Sequence, residues 1–474
     1  MGTPAAPRER TVLFTACQAA LLTRGRLVQG RAETPIEGFS IDTRTLRAGD
    51  AFVALPGQKV DGHGYLGQAA AKGAIAALVT RAVPEAPAGL ALIQVEDPVA
   101  ALQALATDHR GRFELPMLAV TGSNGKTSTR AALEAVLSTG LEICATRGNL
   151  NNHLGLPLSL FELREPHRMG VFEVGMNHLG EIALLCRILK PSMGVITNVG
   201  PAHLEGLGSL ENVARAKGEL MEALPPSGEL FVNGTCPLSL GIASRFRGTS
   251  LTVAPDDPAA FARCESLRVG FHRLSGTVVV PSLDLRVPFD APLSGRHMVF
   301  PLLFATAVAA RAGLDAATIE RGLARFRPEH GRMEVRQQEG IWVIDDCYNA
   351  NPASMEAALD FLLSVPVAGR RFAVLGDMLE LGPYSGDYHR RMLERCRDAS
   401  GLEAAFLFGG EFQKATPDGN SGNRVRVLAR KEAIAGELAE RLVPGDALLV
   451  KGSRGVALET VLQALFPVWA TGDK

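Results

Sequence analysis

Cysteine is scarce in this sequence, and no two cysteines stand close together in a recognisable pair. The 474 residues contain seven cysteines, none of them at C-x-x-C spacing. Scattered thiols of this kind indicate reduced, mostly structural side chains. We therefore predict a cytoplasmic protein.

Long apolar runs are also absent, and neither sign of charge predominates. No run reaches the length needed to span a membrane, and residues 1–10 lack the apolar core of a signal peptide. Lys and Arg total 49 against 50 Asp and Glu, which gives a net charge of −1. This balance argues against a broadly basic nucleic-acid surface but permits a local basic pocket for an anionic small molecule. We expect no nucleic-acid partner and no membrane insertion.

What the sequence does contain is the composition of a multidomain α/β protein. Its hydrophobic and charged fractions of 46% and 21% fit a globular chain, and its length favours about three domains. The 50 glycines and 28 prolines imply many turns. We predict a small α/β N-terminal domain over 1–97, a central parallel-sheet domain over 98–325 and a doubly wound C-terminal domain over 326–474.

Apolar runs that alternate with helical patterns support this division, because such alternation predicts mainly parallel sheets. Residues 226–292 are richer in β-formers, Pro and Gly, and predict additional antiparallel structure. The predicted strands lie at 51–55, 76–79, 118–120, 170–174, 194–199, 341–344, 372–375, 404–408 and 447–450. The predicted helices lie at 66–72, 98–109, 129–137, 180–189 and 210–224.

The most informative motif is the run from Thr121 to Thr127, between a predicted strand and a predicted helix. Glycines there allow backbone N–H groups to surround phosphate oxygens at the start of the helix. Lys126 supplies a mobile positive charge, and the Thr127 hydroxyl suits Mg²⁺. Val120 replaces the first glycine of the usual phosphate loop, so a glycine turn that binds no phosphate is the alternative. We predict a nucleoside-triphosphate site.

Two polar residues at the ends of predicted strands could complete a metal site. Glu173 closes one strand and His203 follows the next, and ligands bind beyond the carboxyl ends of strands in open α/β sheets. Beside Thr127 they would form a site for one or two Mg²⁺ ions. The alternatives are a salt-bridged strand end for Glu173 and a turn histidine for His203. Spacing alone favours a solvated helix lysine for Lys217.

The C-terminal block concentrates polar residues after one strand. Asp345, Asp346, Asn349 and Asn351 all fall on one strand-to-helix loop, and such groups are costly unless they are solvated or bind a ligand. A plain helix-capping loop is the alternative. Residues 451–454 also follow a strand and form a weaker candidate for an anion site.

Together these motifs resemble the Mur ligase family. The resemblance rests on residues 121–127, 148–152, 173–177, 202–206, the phrase around Lys217, and residues 345–352, 375–382 and 451–454. It therefore extends over all three blocks. It implies a first domain that binds the UDP of the substrate, a central domain that binds ATP, and a Rossmann-like last domain.

The resemblance also implies roles for individual residues. The implied ATP contacts are Gly122, Ser123, Asn124, Gly125, Lys126, Thr127, His297, Arg332, Asp346 and Asn349. The implied contacts with the UDP-substrate are Asp42, Arg44, Asn149, Asn151 and Asn152. The implied catalytic residues are Lys126, His203, Lys217 and Arg332. Thr127 and Glu173 would hold one Mg²⁺, His203 would help to hold a second, and Lys217 would react with CO2 to give an anionic carbamate suited to Mg²⁺.

The loop at 345–352 is similar to the family members that add D-Ala-D-Ala to UDP-MurNAc-tripeptide. This implies a monomeric, ATP-dependent amide ligase that acts through an acyl phosphate, in the last cytoplasmic step of the UDP-MurNAc-pentapeptide precursor of peptidoglycan. Within the family, the alternatives are the ligase that adds the third amino acid and folylpolyglutamate synthase. An ATP-binding regulatory or scaffold protein without catalysis is the alternative from another class.

One segment departs from the family pattern. Where the family has G-[KR]-H-N-x-x-N, this sequence has Met298 and Pro301 in place of both asparagines. Methionine lacks the paired donor and acceptor of asparagine, and proline also lacks a backbone N–H. We therefore expect altered adenine contacts, with weaker ATP binding or relaxed nucleotide choice. His297 is a stacking or backbone-directed candidate or, alternatively, a helix-capping histidine.

Overall fold

The computed structural model describes residues 11–57, 60–416 and 424–467. Residues 1–10, where the sequence predicts no signal peptide, lie outside the described residues. Contacts divide the chain into two compact units. The first unit comprises Met1–Leu118, Ile143–Val174 and Ala183–Pro191, and the second comprises Ala119–Glu142, Gly175–Ile182 and Ser192–Lys474. The predicted domain boundaries near residues 97 and 325 stay predictions.

The elements alternate along the chain as an α/β fold requires. The strands are β1 (Phe14–Thr15), β2 (Arg26–Gln29), β3 (Pro35–Ile36), β4 (Gly38–Ser40), β5 (Asp50–Val53), β6 (Ala76–Val79), β7 (Ala91–Gln94), β8 (Met117–Thr121), β9 (Ile143–Ala145), β10 (Met169–Glu173), β11 (Met193–Ile196), β12 (Glu229–Asn233), β13 (Thr249–Val253), β14 (Arg263–Val269), β15 (Leu274–Val280), β16 (Leu285–Ala291), β17 (Glu334–Gln338), β18 (Ile341–Asp346), β19 (Arg371–Gly376), β20 (Ala404–Phe408), β21 (Val425–Leu428) and β22 (Ala447–Lys451). The helices are α1 (Ala16–Leu22), α2 (Leu66–Ala71), α3 (Pro98–Gly111), α4 (Lys126–Leu137), α5 (Gly155–Leu160), α6 (Glu181–Leu189), α7 (Leu204–Leu207), α8 (Leu210–Ala223), α9 (Pro237–Ala243), α10 (Val299–Arg311), α11 (Ala316–Arg325), α12 (Pro352–Ser364), α13 (Ser385–Asp398), α14 (Gly410–Lys414), α15 (Lys431–Arg441) and α16 (Glu459–Leu465). Among the described residues, no helix is both long enough and apolar enough to cross a membrane.

The first unit contains a five-stranded sheet with the strand order β2-β7-β6-β5-β4. Strands β4 to β7 run parallel, whereas β2 pairs antiparallel with β7. Strands β5 and β6 are buried along their whole length, as expected for parallel strands with both faces covered. In the same unit, β9 and β10 pair in parallel. The predicted strands at 51–55, 76–79 and 170–174 are thus confirmed, with small shifts at their ends.

In the second unit, β11 lies beside the end of β8 in the sheet, and β12 and β13 lie next to it in that order. Strands β11, β12 and β13 run parallel. The antiparallel prediction for residues 226–292 was therefore wrong for β12 and β13, because α9 lies between them and returns the chain to the same end of the sheet. The prediction is confirmed for β14, β15 and β16, which form a three-stranded antiparallel sheet. Helices α4, α10 and α11 pack against one another.

The C-terminal part of the second unit contains a six-stranded sheet with the order β17-β18-β22-β19-β20-β21. All neighbours run parallel except β17, which lies antiparallel at one edge. This confirms the doubly wound prediction, although the sequence analysis missed the edge strands β17 and β21. Parallel pairing places Asp346 beside Lys451, each at the end of its strand. The ends of β18 and β22 therefore bring two predicted polar segments together.

Candidate active site

The turn between β8 and α4 depends on two glycines. Gly122 adopts φ +154°, and a Cβ atom there would stand 1.8 Å from the Thr197 Oγ1 atom. Gly125 adopts φ +77° immediately before α4. Neither conformation suits an L side chain, so the backbone can bend tightly before the first helical turn, where Thr127 is buried. This confirms the strand, glycine loop and helix predicted for the phosphate-binding turn, residues 121–127.

A loop after β11 holds the phosphate-binding turn in shape. The Asn198 Oδ1 atom accepts a hydrogen bond from the Asn124 N–H at 2.9 Å, and the Asn198 carbonyl accepts one from the Ser123 N–H at 3.0 Å. The Ser123 hydroxyl donates to the Gly200 carbonyl at 2.8 Å and accepts from the Gly200 N–H at 2.9 Å. Asn198 was not among the predicted site residues, although its place directly after an apolar strand was an available signal.

The site contains three basic side chains that influence one another electrostatically: Lys126, His203 and Lys217. The Lys126 Nζ atom donates to the Gly122 carbonyl at 2.8 Å. Lys217 on α8 is only 1% exposed, and burial together with the charge of Lys126 holds the pKa of its amine well below the ordinary value. Burial also lowers the pKa of His203, with smaller contributions from both lysines. Lys217 is thus not a solvated helix lysine, and its surroundings favour a neutral amine.

In the first unit, Glu173 ends β10 and is buried. Its Oε1 atom accepts a hydrogen bond from Asn151 Nδ2 at 2.8 Å. Its backbone N–H donates to the Thr146 hydroxyl at 2.9 Å. The structure therefore joins a predicted metal ligand and a predicted substrate contact through one hydrogen bond.

The other residues predicted to contact the UDP-substrate lie on turns of the first unit. The Asp42 carboxylate accepts hydrogen bonds from the Arg44 backbone N–H at 2.8 Å and from its guanidinium at 2.6 Å. These bonds hold the pKa of Asp42 below its usual value. Asn152 accepts a hydrogen bond at 2.8 Å from the N–H of Gly155, the first residue of α5, whereas Asn149 is exposed. Their roles toward the UDP-substrate stay predictions.

Asp346 is engaged by the protein on both carboxylate oxygens. Its Oδ1 atom accepts a hydrogen bond from the Met333 N–H at 3.0 Å. Its Oδ2 atom lies 2.6 Å from Nζ of Lys451, which is 1% exposed and also donates to the Asn349 carbonyl at 2.9 Å. A buried cation is stable only when it is paired in this way. Lys451 therefore neutralises a carboxylate of the loop between β18 and α12.

The same loop is linked to the phosphate-binding turn by two amides. Asn351 Nδ2 donates to Asn124 Oδ1 at 2.6 Å, and Asn124 Nδ2 donates to Asn351 Oδ1 at 3.3 Å. Asn351 also caps α12 by accepting a hydrogen bond from the Ser354 N–H at 3.0 Å. Asn349 is exposed, and its Oδ1 atom accepts from the Ala350 N–H at 2.9 Å. The loop thus caps α12, as the alternative of a plain helix-capping loop predicted, and it also contacts the phosphate-binding turn.

Arg332 lies on a sharply bent segment that precedes β17. Its neighbours Gly331 and Met333 both have positive φ, +72° and +53°. The Arg332 guanidinium stacks 3.9 Å from the centre of the Tyr348 ring, a favourable cation–π contact. Its buried Nε atom has no hydrogen-bond partner within the described part of the chain. Arg332 therefore keeps a donor available, which suits its predicted role toward phosphate.

Glu380, like Asn198, is a residue of this site that was not among the predicted site residues. Its Oε2 atom lies 2.6 Å from His203 Nδ1, and its carbonyl accepts a hydrogen bond from the Glu205 N–H at 2.9 Å. Residues 375–382 contributed to the family resemblance, but no role was assigned to the glutamate. The available signal was an acidic residue between two glycines directly after an apolar strand.

The segment that departs from the family pattern lies at the start of α10. Met298 is buried, and Pro301 is buried in the first helical turn, where a missing N–H is tolerated. His297 is exposed in the preceding 3₁₀ turn, and α10 has no side-chain cap. The capping alternative for His297 is therefore wrong. The expected change in adenine contacts stays a prediction.

Three family descriptions match successive parts of the chain. The catalytic domain of the Mur ligase family matches residues 35–110, the Mur ligase middle domain matches residues 120–309, and the glutamate ligase domain of Mur ligases matches residues 331–454. The chain belongs to the Mur ligase family.

Individual relatives are similar over nearly the whole chain. The UDP-N-acetylmuramoyl-tripeptide–D-alanyl-D-alanine ligase of Bacillus subtilis is 33% identical over 456 residues, which cover 94% of this chain and 97% of the relative. The crystal structure of MurF from Acinetobacter baumannii matches with a TM-score of 0.85 and 29% identity, covering 97% of this chain and 99% of that one. The MurF ligase of Thermotoga maritima in complex with ADP matches with a TM-score of 0.78 and 27% identity, covering 91% and 98%.

Proposed function

We propose that this chain is an ATP-dependent ligase that joins D-Ala-D-Ala to UDP-MurNAc-tripeptide. It would act as a cytoplasmic monomer and complete the UDP-MurNAc-pentapeptide precursor of peptidoglycan. The observation that carries the proposal is the grouping of Lys126, His203 and the buried Lys217 at the phosphate-binding turn. The choice of substrates is supported by the similarity to a UDP-N-acetylmuramoyl-tripeptide–D-alanyl-D-alanine ligase over 94% of the chain.

The proposed reaction activates a carboxylate, whose leaving group would otherwise be oxide. A carboxylate oxygen of the tripeptide attacks the γ-phosphorus of ATP, the bond to the β-phosphate oxygen breaks, and ADP leaves. The amine of D-Ala-D-Ala then attacks the acyl carbon and loses a proton, and phosphate leaves from the tetrahedral intermediate. In such a reaction the protein mainly positions the reactants and neutralises charge.

Lys126 and Arg332 are the residues that we assign to charge neutralisation. Lys126 stands in the first turn of α4, and its Nζ atom is held by the Gly122 carbonyl. That amine can exchange the carbonyl for a phosphate oxygen while the helix N-terminus adds partial positive charge. The stacked guanidinium of Arg332 has an unpaired buried Nε atom within the described residues, which supports a contact with phosphate.

Residues of the second unit fit Mg²⁺ when Lys217 is carbamylated. The neutral Lys217 amine attacks the carbon of CO2 and releases a proton to solvent, so a neutral side chain becomes an anion with oxygen ligands. The Thr127 hydroxyl would hold one Mg²⁺ and the His203 imidazole would help to hold a second, with the carbamate as a further ligand of the preferred oxygen type. Bound Mg²⁺ supplies Lewis-acid neutralisation of phosphate charge. The proposal that Glu173 also holds Mg²⁺ is supported by its sequence motif alone.

The remaining substrate contacts are assigned by the sequence motifs. We assign the UDP-substrate to Asp42, Arg44, Asn149, Asn151 and Asn152. We assign the nucleotide to residues 122–127, His297, Asp346 and Asn349. Both carboxylate oxygens of Asp346 already have partners, Lys451 and the Met333 N–H. We therefore assign Asp346 an indirect role, in which it fixes the shape of the loop that faces the nucleotide.

The experiment is a panel of phosphate-release assays with purified protein, ATP and Mg²⁺. Each UDP-muramoyl peptide is tested with and without D-Ala-D-Ala, and products are identified by mass. We expect phosphate release only when UDP-MurNAc-tripeptide and D-Ala-D-Ala are both present, with the pentapeptide as product. Release that requires a free amino acid instead of the dipeptide would contradict the proposal, as would ATP binding without any turnover across the panel.

A further inference from the structure

We propose that Glu380 is a positioning residue for His203, which it holds in the tautomer whose Nε2 atom is free to bind a metal. This inference rests on the proposed function, in which His203 is a ligand of Mg²⁺. It concerns a residue of the C-terminal segment, 177 positions beyond the histidine in the chain.

The hydrogen bond between Glu380 and His203 determines which ring nitrogen carries the proton. Glu380 Oε2 lies 2.6 Å from His203 Nδ1, and an ionised carboxylate can only accept hydrogen bonds. Nδ1 must therefore carry the proton. A neutral imidazole has a single N–H, so the Nε2 lone pair is left for a metal. Carboxylates that accept from the second ring nitrogen commonly fix the orientation and raise the basicity of metal-bound histidines.

The backbone has an unusual conformation at both ends of this hydrogen bond. His203 and Glu380 adopt φ +56° and +64°, the left-handed region that residues with side chains seldom occupy. Such conformations persist only where surrounding contacts determine them, and they cluster at functional sites. Two unfavourable backbone conformations are thus maintained where the two side chains meet.

The loop that carries Glu380 is fixed on both sides by hydrogen bonds. On the α7 side, its carbonyl accepts from the Glu205 N–H at 2.9 Å, and the Tyr384 hydroxyl donates to the Gly208 carbonyl at 3.0 Å. Toward the sheet, the Leu379 N–H donates to the Ser453 hydroxyl at 2.9 Å. Glu380 is therefore delivered to His203 by a loop with little freedom, as accurate positioning requires.

The test measures metal binding directly. The full-length protein with ADP is titrated with Mn²⁺, and free Mn²⁺ is followed by electron paramagnetic resonance. We expect Glu380→Ala to weaken Mn²⁺ binding by about tenfold or more, the usual effect of losing such a partner. Glu380→Gln keeps an oxygen acceptor for Nδ1–H and should restore most of the affinity. Glu205→Ala removes an exposed carboxylate but keeps the backbone N–H that donates to Glu380, so it is the matched control and should bind as the wild type does.

Several outcomes would overturn the proposal. The first is unchanged Mn²⁺ affinity in Glu380→Ala, and the second is unchanged affinity in His203→Ala. The third is a loss of affinity in Glu380→Gln as large as that in Glu380→Ala, which would indicate an effect of charge. A second readout is the ¹⁵N spectrum of the His203 ring, which should report protonated Nδ1 in the wild type and a changed tautomer population in Glu380→Ala. Both readouts are independent of turnover. A protein with these properties that fails to ligate D-Ala-D-Ala would refute the proposed function and leave the role of Glu380 standing.

Discussion

Replacement of Gly122 by alanine tests the geometry of the phosphate-binding turn most sharply. The added Cβ atom would stand 1.8 Å from Thr197 Oγ1 and 3.1 Å from Thr197 Cβ. Thr197 is buried, and its hydroxyl donates to the Asn124 carbonyl at 2.5 Å. The threonine can yield only by breaking that bond, because a β-branched side chain has few rotamers. The turn should therefore be displaced in Gly122→Ala.

The magnitude follows from two separate effects. Overpacking of a buried site costs about 1–3 kcal/mol, and a left-handed backbone costs a further 1–2 kcal/mol, roughly, for a residue with a Cβ atom. Gly125→Ala has only the second effect, because φ is +77° but no atom lies within 4 Å of the new Cβ. Gly111→Ala, at the end of α3 in open space, has neither effect and should stabilise by about 0.5 kcal/mol.

The assay is urea-induced unfolding of the three variants, with binding of a non-hydrolysable ATP analogue measured by calorimetry. We expect the free energy of unfolding to fall in the order Gly111→Ala, Gly125→Ala, Gly122→Ala, and analogue binding to fail in Gly122→Ala. Equal stability of the Gly122 and Gly111 variants would refute the steric argument. Normal binding of the ATP analogue by Gly122→Ala would show that phosphate binding does not depend on the shape of this turn.

Three further predictions concern charged or titrating side chains. Lys126→Ala should keep its far-ultraviolet circular dichroism spectrum but lose ligation; product formation near the wild-type rate would contradict its role. Lys217→Ala should be nearly inactive and partly rescued by short carboxylic acids, whereas full activity without additive would exclude the carbamate. His109 is buried, and burial lowers the pKa of its ring to about 4. Burial disfavours the charged ring in the folded protein. The contribution of His109 to folding stability is therefore complete above the pKa that the ring has in the unfolded chain, and it falls as the pH decreases through that value. The loss should be about 2 kcal/mol between pH 7 and 5, and unfolding of His109→Gln, compared with the wild type across that range, should lack this component.

Local motifs explain why much of the site was predictable. The phosphate-binding turn is a contiguous run whose glycines, lysine and threonine act within one bend, so its sequence is sufficient to indicate its geometry. The strands β6 and β8 were predicted from short apolar runs, which are typical of parallel strands buried on both faces, whereas β5 was predicted from an alternating pattern. The edge strand β17 was missed because it is largely polar, with only Val335 buried among its five residues.

Lys217 shows an error of interpretation from the sequence. Spacing was held to favour a solvated lysine, yet Val213, Lys217 and Met221 stand four residues apart and all are buried on α8. Residues at that interval share one helix face, so the apolar neighbours were an available signal. The contact between His203 and Glu380 had no such signal, because it depends on how two distant loops meet.

The mutual amide contact of Asn124 and Asn351 has a consequence for how these positions can change in evolution. Asn351 caps α12 with its oxygen and donates to Asn124 with its nitrogen. Aspartate could cap the helix equally well, but its carboxylate would face the Asn124 oxygen without a donor. The two positions are therefore coupled: an acid at 351 would require either that the Asn124 amide turn its Nδ2 atom toward the new oxygen or that position 124 carry a side chain with donors only.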